Sequence, residues 1–251
     1  MNKEDVIKNK NEAIKMMIDF FDNCLEINDF SSIKKVNLIS YWQKDYINYI
    51  KGENSFNPKN LKTYERGDII KVNLGFNIGS ELGGLHYCVV IDKKNNRNSP
   101  VVTVIPLSSQ KTEKINKNSV MLGNDIYNKL VKKSNKLLVD SKMKIEQNKK
   151  QLLIETKKMV ETDMTSNEIK TTELNNNIIE EYKKLELAEK INKEIQKMKF
   201  GSIAIINQIR VISKQRIYDP KTELDILSGI KLSNENLDLI DEKIKKMFIK
   251  N

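Results

Sequence analysis

Histidine is almost absent from this sequence: among 251 residues there is one, His86. Cysteine is nearly as scarce, with only Cys24 and Cys88. Two distant thiols make neither a disulfide framework nor a zinc spacing, and a single imidazole removes most other metal sites, so the chemistry is expected to run without metal or cofactor. Cys88 lies inside an apolar run and reads as a small buried hydrophobe rather than a nucleophile. No apolar run reaches the roughly 18 residues of a membrane span. The opening Met-Asn-Lys-Glu-Asp lacks the apolar stretch of a signal peptide, so a cytoplasmic protein without membrane contact is expected. Glycine and proline are also few, and neither occurs between Asn124 and Lys199.

What is abundant is lysine. The net charge of +10 favours a polyanionic partner, because clustered cations release counterions from phosphates on binding. The lysine excess accompanies many Asn and Ile residues throughout, so charge alone does not name the partner. Charged residues make up 31% of the chain against 39% hydrophobic, which suits a small domain with helical attachments better than one thick globule.

The stretch from Arg66 to Ser109 differs from its surroundings in being rich in β-branched residues punctuated by Gly, Asn and Pro. Asp68 to Leu74 reads as a half-buried strand, with Ile70, Val72 and Leu74 facing inward. A glycine-rich loop follows, containing Gly79, Ser80, Glu81, Gly83 and Gly84. It is no phosphate-binding P-loop, since neither Gly-Lys-Ser/Thr nor a helix ends it. Two apolar runs, Tyr87 to Ile91 and Val101 to Leu107, flank a polar connector able to close a hairpin. Antiparallel pairing about that connector brings His86, before the first run, and Ser108, after the second, to one rim of the sheet.

On either side the spacing is helical. Residues 4 to 25 and about Ser32 to Lys51 predict two helices, with Ser32 as the second N-cap and Gly52 as its stop. Trp42, Tyr46 and Tyr49 fit a packing face; stacking on unpaired bases is the rival role. Asn54 to Thr63 reads as a linker. A short strand is expected at Ser119 to Leu122. Beyond Asn124, apolar residues including the heptad-spaced Leu138, Ile145, Leu152 and Met159 predict two long antiparallel helices turning near Thr162 to Thr172 and projecting from the sheet. Gly201 to Val211 reads as one strand with Ile203, Ile205 and Ile209 buried. Gln208, Arg210, Lys214 and Arg216 offer polar and cationic tips there, for phosphate contact or edge structure. A closing helix starts after Ser233, with Leu237, Ile240, Ile244 and Met247 on one face.

With RGDIIKVNLG, GSELGG, NSPVVTVIPLSS and GSIAIINQIRVISKQRI in this order, the chain resembles the PemK/MazF family of toxins from bacterial toxin-antitoxin modules. The resemblance implies an α+β fold: a small SH3-like β-barrel, as also found in the gyrase-poison toxins, with a C-terminal helix. The expected division is a helical extension at 1–62, the barrel at 63–123 plus 199–251, and a helical hairpin inserted at 124–198. It further implies a homodimer, a cognate antitoxin, and sequence-specific cleavage of single-stranded RNA without metal. Where the family usually has an arginine and a threonine, this chain has His86 and Ser108.

That exchange is compatible with cleavage. An imidazole, with an ordinary pKa of about 6.5, accepts a proton at neutral pH better than a guanidinium above about 12. His86 is therefore the expected base and acid, with Ser108 donating to a phosphoryl oxygen and the amides of Gly83 and Gly84 adding oxyanion-type stabilisation. Arg210 or backbone amides hold the charge between the two proton transfers, and Glu81 positions a ribose or a lysine, or fixes its own loop. The rival classes are a silent RNA-binding regulatory module and a gyrase-poison-like inhibitor of the same fold. Neither needs a proton-transfer residue.

Overall fold

The computed structural model describes residues 2–110, 116–159, 165–199 and 201–250. Contacts divide the chain into two compact units, Met1–Phe56 with Asn73–Leu85, and Asn57–Val72 with His86–Asn251.

In the first unit, α1 (Lys3–Ile27) and α2 (Phe30–Gly52) are joined by two residues, a connection short enough to force them antiparallel. Asn28 ends α1 in the left-handed conformation at φ 54°. Asp29, not Ser32, caps α2, its carboxylate accepting from the Ser32 amide at 2.7 Å. The cap lies three residues earlier because an aspartate here can also meet the positive end of the helix dipole. Met17, Phe21 and Cys24 are the least exposed residues of α1. Gln43 Nε2 donates to Met17 Sδ, which marks the seam between the helices.

The 73–85 loop belongs to this unit. Asn73 Nδ2 donates to Asp45 Oδ2 at 2.8 Å and to the Tyr49 hydroxyl at 3.4 Å. A Cβ at Gly75 would lie 2.7 Å from the Trp42 ring, so only glycine lets the backbone approach the indole so closely. Trp42 and Tyr49 are thus used in packing.

The second unit is built on an antiparallel sheet. Its strands are β1 (Ile69–Asn73), β2 (Leu85–Val90), β3 (Val101–Ser109), β4 (Ser119–Gly123), β5 (Ser202–Ile205), β6 (Arg210–Ser213) and β7 (Ile217–Asp219). The pairing order is β4-β5-β3-β2-β1-β7, with β6 also on β3. The two ends of this path do not pair, so the sheet is open where a closed barrel was expected. The strand expected over Gly201 to Val211 is cut by a 3-10 turn at Ile206–Gln208. Its buried residues are Ala204 and Ile206, while Ile203, Ile205 and Ile209 are half-buried. At the far end, β1 and β7 share two residue pairs with a register shift between them.

The sheet is covered on both faces. Val89, Ile105, Leu107, Ala204 and Ile69 join the main core. On the opposite face Cys88, Val90, Val102, Val104 and Ile212 are buried as well. This is why Ile69 and Ile70 are both inaccessible, where strict alternation predicted a half-buried strand.

The inserted helices are α3 (Asp125–Met159) and α4 (Thr165–Lys197); residues 162–164 of the expected turn lie outside the described residues, and α4 has already begun at Thr165. Their roots do not merely project. Ile126, Leu130, Leu187 and Ile191 are part of the main core, and farther along Ile145 meets a seam that also buries Leu174 and Ile178. Small residues let the helices approach: Ser134 Oγ donates to the Ala188 carbonyl at 3.2 Å and to Asn192 Oδ1 at 2.8 Å. The closing helix α5 (Asn234–Phe248) starts from Ser233, whose hydroxyl accepts from the Asn236 amide, and buries Ile240.

Two charged residues fasten these helices. Lys133 of α3 donates to the carbonyls of Asp225, Ile226 and Ser228, and burial lowers its pKa to about 8. Glu194 of α4 accepts from both Lys71 of β1 and Tyr87 of β2. Burial works to raise the Glu194 carboxyl, but these two hydrogen bonds outweigh it and hold it below its ordinary 4.5. A depressed carboxylate contributes stability above its ordinary value and loses it as pH falls through the folded value. Glu194→Gln is therefore expected to lower the unfolding free energy by about 1–3 kcal/mol at neutral pH. Urea titrations should show that difference shrinking as the pH is taken below 4.5.

Candidate functional site on the β2–β3 rim

Three residue pairs fix the register of β2 on β3: Val90 with Val104, Val89 with Ile105, and Cys88 with Pro106. Two residues further that register would set His86 opposite Ser108, but the ladder stops at Cys88 and Pro106, and Ser108 pairs with Ile203 of β5. Side chains two apart share a face, so His86, Cys88 and Val90 look the same way as Ser108, Pro106 and Val104. Arg210 pairs with Val104 from the other side of β3 and joins that face. Beyond Pro106, which has no amide to donate, β3 leaves β2 and pairs through Leu107, Ser108 and Ser109 with β5. His86 and Ser108 are both half-buried, at the place where the β2–β3 ladder stops.

The His86 ring is oriented by its neighbour strand. Its Nδ1 lies 3.2 Å from the Leu107 carbonyl oxygen. A carbonyl only accepts, so this hydrogen bond requires the proton on Nδ1 and leaves the Nε2 lone pair as the basic position. The ring is thereby prepared to take a proton at Nε2.

Arg210 is held in place by Gln208, with Nε donating to the Gln208 carbonyl at 3.3 Å and a terminal nitrogen to Oε1 at 3.1 Å. Both Arg210 and Arg216 are half-buried and place positive charge near Cys88. Burial nevertheless pushes the Cys88 thiol up to about 12, so it is an inert core residue. Lys214 takes the structural one of its two expected roles: it is 1% exposed, its ammonium donates to the Asn96 carbonyl at 3.1 Å and lies 5.7 Å from the centre of the Tyr64 ring. That lysine is a structural cation, removed from any phosphate contact.

The glycine loop, in the first unit, also departs from expectation. The Gly84 amide donates to the Gly75 carbonyl at 2.6 Å and the Leu74 amide to the Gly84 carbonyl at 2.8 Å. Asn77 Nδ2 ties the interior by donating to the carbonyls of Leu74 and Leu82. The Gly84 amide is thus committed within the loop and is not an oxyanion donor. Gly79, Ser80 and Glu81 are exposed, and the Glu81 amide closes a turn on the Ile78 carbonyl at 3.2 Å. Gly83 is required by space, since a Cβ there would meet the Gly75 oxygen at 2.6 Å.

Sequence reasoning missed Glu194 and its partners Lys71 and Tyr87. Nothing local marks a glutamate in a long helix as the partner of two strand residues more than a hundred positions away. Among the described residues no three His, Cys, Asp or Glu side chains are grouped as a metal ion would need, and no helix is long and apolar enough to cross a membrane.

The fold and rim define a basic α+β protein with an oriented imidazole, a hydroxyl and a guanidinium on one sheet face. Residues 65–164 match the model of the PemK-like, MazF-like toxin of type II toxin-antitoxin systems, which supports a PemK/MazF-type toxin domain in this segment. The match runs through β1 to β4 and along α3, and stops before α4. No curated protein matches the chain. Members of this family are generally ribonucleases, and a type II system implies a cognate antitoxin as partner.

The loop geometry gives a direct expectation. Gly83→Ala forces the Gly75 carbonyl away and breaks its bond to Gly84, so hydrogen exchange at the Gly84 amide should speed up at least ~10-fold. Exchange measured by NMR on the wild type and the variant checks this.

Proposed function

We propose that the chain is a sequence-specific, metal-independent endoribonuclease toxin that cuts single-stranded RNA, with His86 as general base and acid and Ser108 stabilising the transition state. The observation that carries the reading is the His86 Nδ1 contact with the Leu107 carbonyl, which leaves Nε2 free of a proton on a rim shared with a hydroxyl. In the proposed reaction, Nε2 takes the proton of the ribose 2′-hydroxyl as its oxygen attacks phosphorus. The bond to the 5′-oxygen breaks, and the imidazolium returns the proton to that leaving oxygen. The products are a 2′,3′-cyclic phosphate and a 5′-hydroxyl end.

Ser108 donates to a non-bridging oxygen as negative charge builds there. Arg210, pre-oriented by Gln208, supplies the positive charge that stabilises the phosphorane while the proton resides on His86. Arg216 contributes to the field along the same face, and Lys214 has no part in it. RNA binding then scales with phosphate neutralisation, consistent with the +10 charge. A homodimer and restraint by the cognate antitoxin in the cytoplasm complete the reading.

The test is incubation of wild type, His86→Ala and Ser108→Ala with a long single-stranded RNA in EDTA, with end mapping and detection of the cyclic phosphate. Cleavage at a recurrent sequence by the wild type, reduced by about 10²–10⁴ in His86→Ala and about 10² in Ser108→Ala, is expected. Binding without cleavage by the pure wild type would replace the enzyme with the RNA-binding module.

A further inference from the structure

The two inserted helices are alike in length and unlike in charge. The α3 segment holds ten lysines against four carboxylates, while α4 holds six lysines against seven glutamates. A bias in base composition would enrich lysine on both helices alike. The excess on α3 therefore has a local reason.

Position on the helix points to it. Ser134, Ser141, Ile145 and Glu155 are buried and mark the side of α3 turned to α4. At about 100° per residue, Lys132, Lys136, Lys142, Lys149, Lys150 and Lys157 fall within an arc of about 140° on the remaining surface. All six are exposed. Between Lys132 and Lys157 one carboxylate, Glu146, shares that arc, paired with Lys150 at 3.0 Å. Lys132, Lys136 and Lys142 have no ion pair among the described residues. Like charges four apart, as at Lys132 and Lys136, oppose helix formation, so this spacing does not serve folding. The result is a basic ridge about 38 Å long.

A row of ammonium groups on flexible stems fits a chain of phosphates. Beside it stands Tyr182 of α4, 45% exposed, whose hydroxyl accepts from Lys149 at 3.1 Å. An exposed ring among cations is a stacking surface for an unpaired base, which favours single-stranded RNA over an acidic protein. The root of α3 shares the core with Val89 and Ile105, whereas His86 faces the same way as Cys88, on the other side of the sheet. The ridge is thus a surface separate from the rim.

We propose that the lysine ridge of α3 is a second RNA-binding surface, which holds the backbone of a long single strand while the rim acts on another segment of it. The inference rests on the RNA reading of the rim and makes long RNA the preferred substrate, because the second contact raises the local concentration of the strand.

Binding is read by fluorescence anisotropy on a long labelled single-stranded RNA in EDTA, with His86→Ala in every protein to prevent cutting. The triple variant Lys132→Gln, Lys136→Gln, Lys142→Gln keeps helix propensity and should weaken binding ~10-fold. It should also lower the slope of log K against log salt by about 2, since each lost phosphate contact removes roughly 0.7. A matching triple variant on α4, Lys183→Gln, Lys190→Gln, Lys193→Gln, changes net charge equally and should weaken binding less than ~2-fold. With His86 present, the α3 variant should raise KM for long RNA ~10-fold and leave kcat unchanged. Unchanged affinity overturns the proposal and turns the ridge towards an acidic protein. An equal loss in the α4 variant overturns it in favour of overall charge, and a fall in kcat does so by placing the lysines at the cleavage site. The binding arm needs no cleavage, so a wild type that binds but never cuts overturns the ribonuclease reading while the affinities still decide the ridge.

Discussion

Between Val90 and Cys88, three pairs with Val104, Ile105 and Pro106 hold β2 in register on β3. Much of the second unit follows from those pairs. They send Val89 and Ile105 into the main core and Cys88, Val90 and Val104 to the opposite face. They also bring His86 to the end of the ladder, where its Nδ1 meets the Leu107 carbonyl and β3 passes to β5. A slip of one residue would turn His86 to the other face and expose a core strand, so a large apolar area enforces the placement of one polar group.

The inserted helices share in that stability. Their roots contribute Ile126, Leu130, Leu187 and Ile191 to the same core as the sheet, and Glu194 bonds to residues of β1 and β2. Tyr87, whose hydroxyl donates to Glu194, is adjacent to His86 and faces the other way. Through it, α4 steadies the strand that presents the imidazole. In the first unit the 73–85 loop is partly committed: the Leu74, Glu81 and Gly84 amides and Asn77 bond within the loop, Gly75 and Gly83 meet an indole and a carbonyl, and Gly79 and Gly84 face open space.

Local signals made most elements legible. The Arg66 to Ser109 strands, the helical periods on either side and the Ser233 cap are written in short-range patterns, and the hairpin connector is closed by Asp92 accepting from the Thr103 amide at 3.0 Å. The pairing of β2 with β3 was legible because it follows from two runs and one connector. What escaped depends on distant partners. Lys214 reads as an exposed cation until Tyr64 and the Asn96 carbonyl close over it, and the break at Ile206–Gln208 has no Gly or Pro to announce it. The open sheet is likewise a property of strand ends meeting or failing to meet, which no local pattern records.

The central claim is that the Leu107 carbonyl fixes the proton of His86 on Nδ1 and leaves Nε2 as the base. Because the chain has one histidine, ¹⁵N NMR of selectively labelled protein reports that ring alone. A neutral imidazole protonated at Nδ1, with Nε2 showing the shift of an unprotonated nitrogen, is the predicted result. A ring protonated at Nε2 in its neutral form would contradict the account, since the nitrogen assigned as base would already hold a proton.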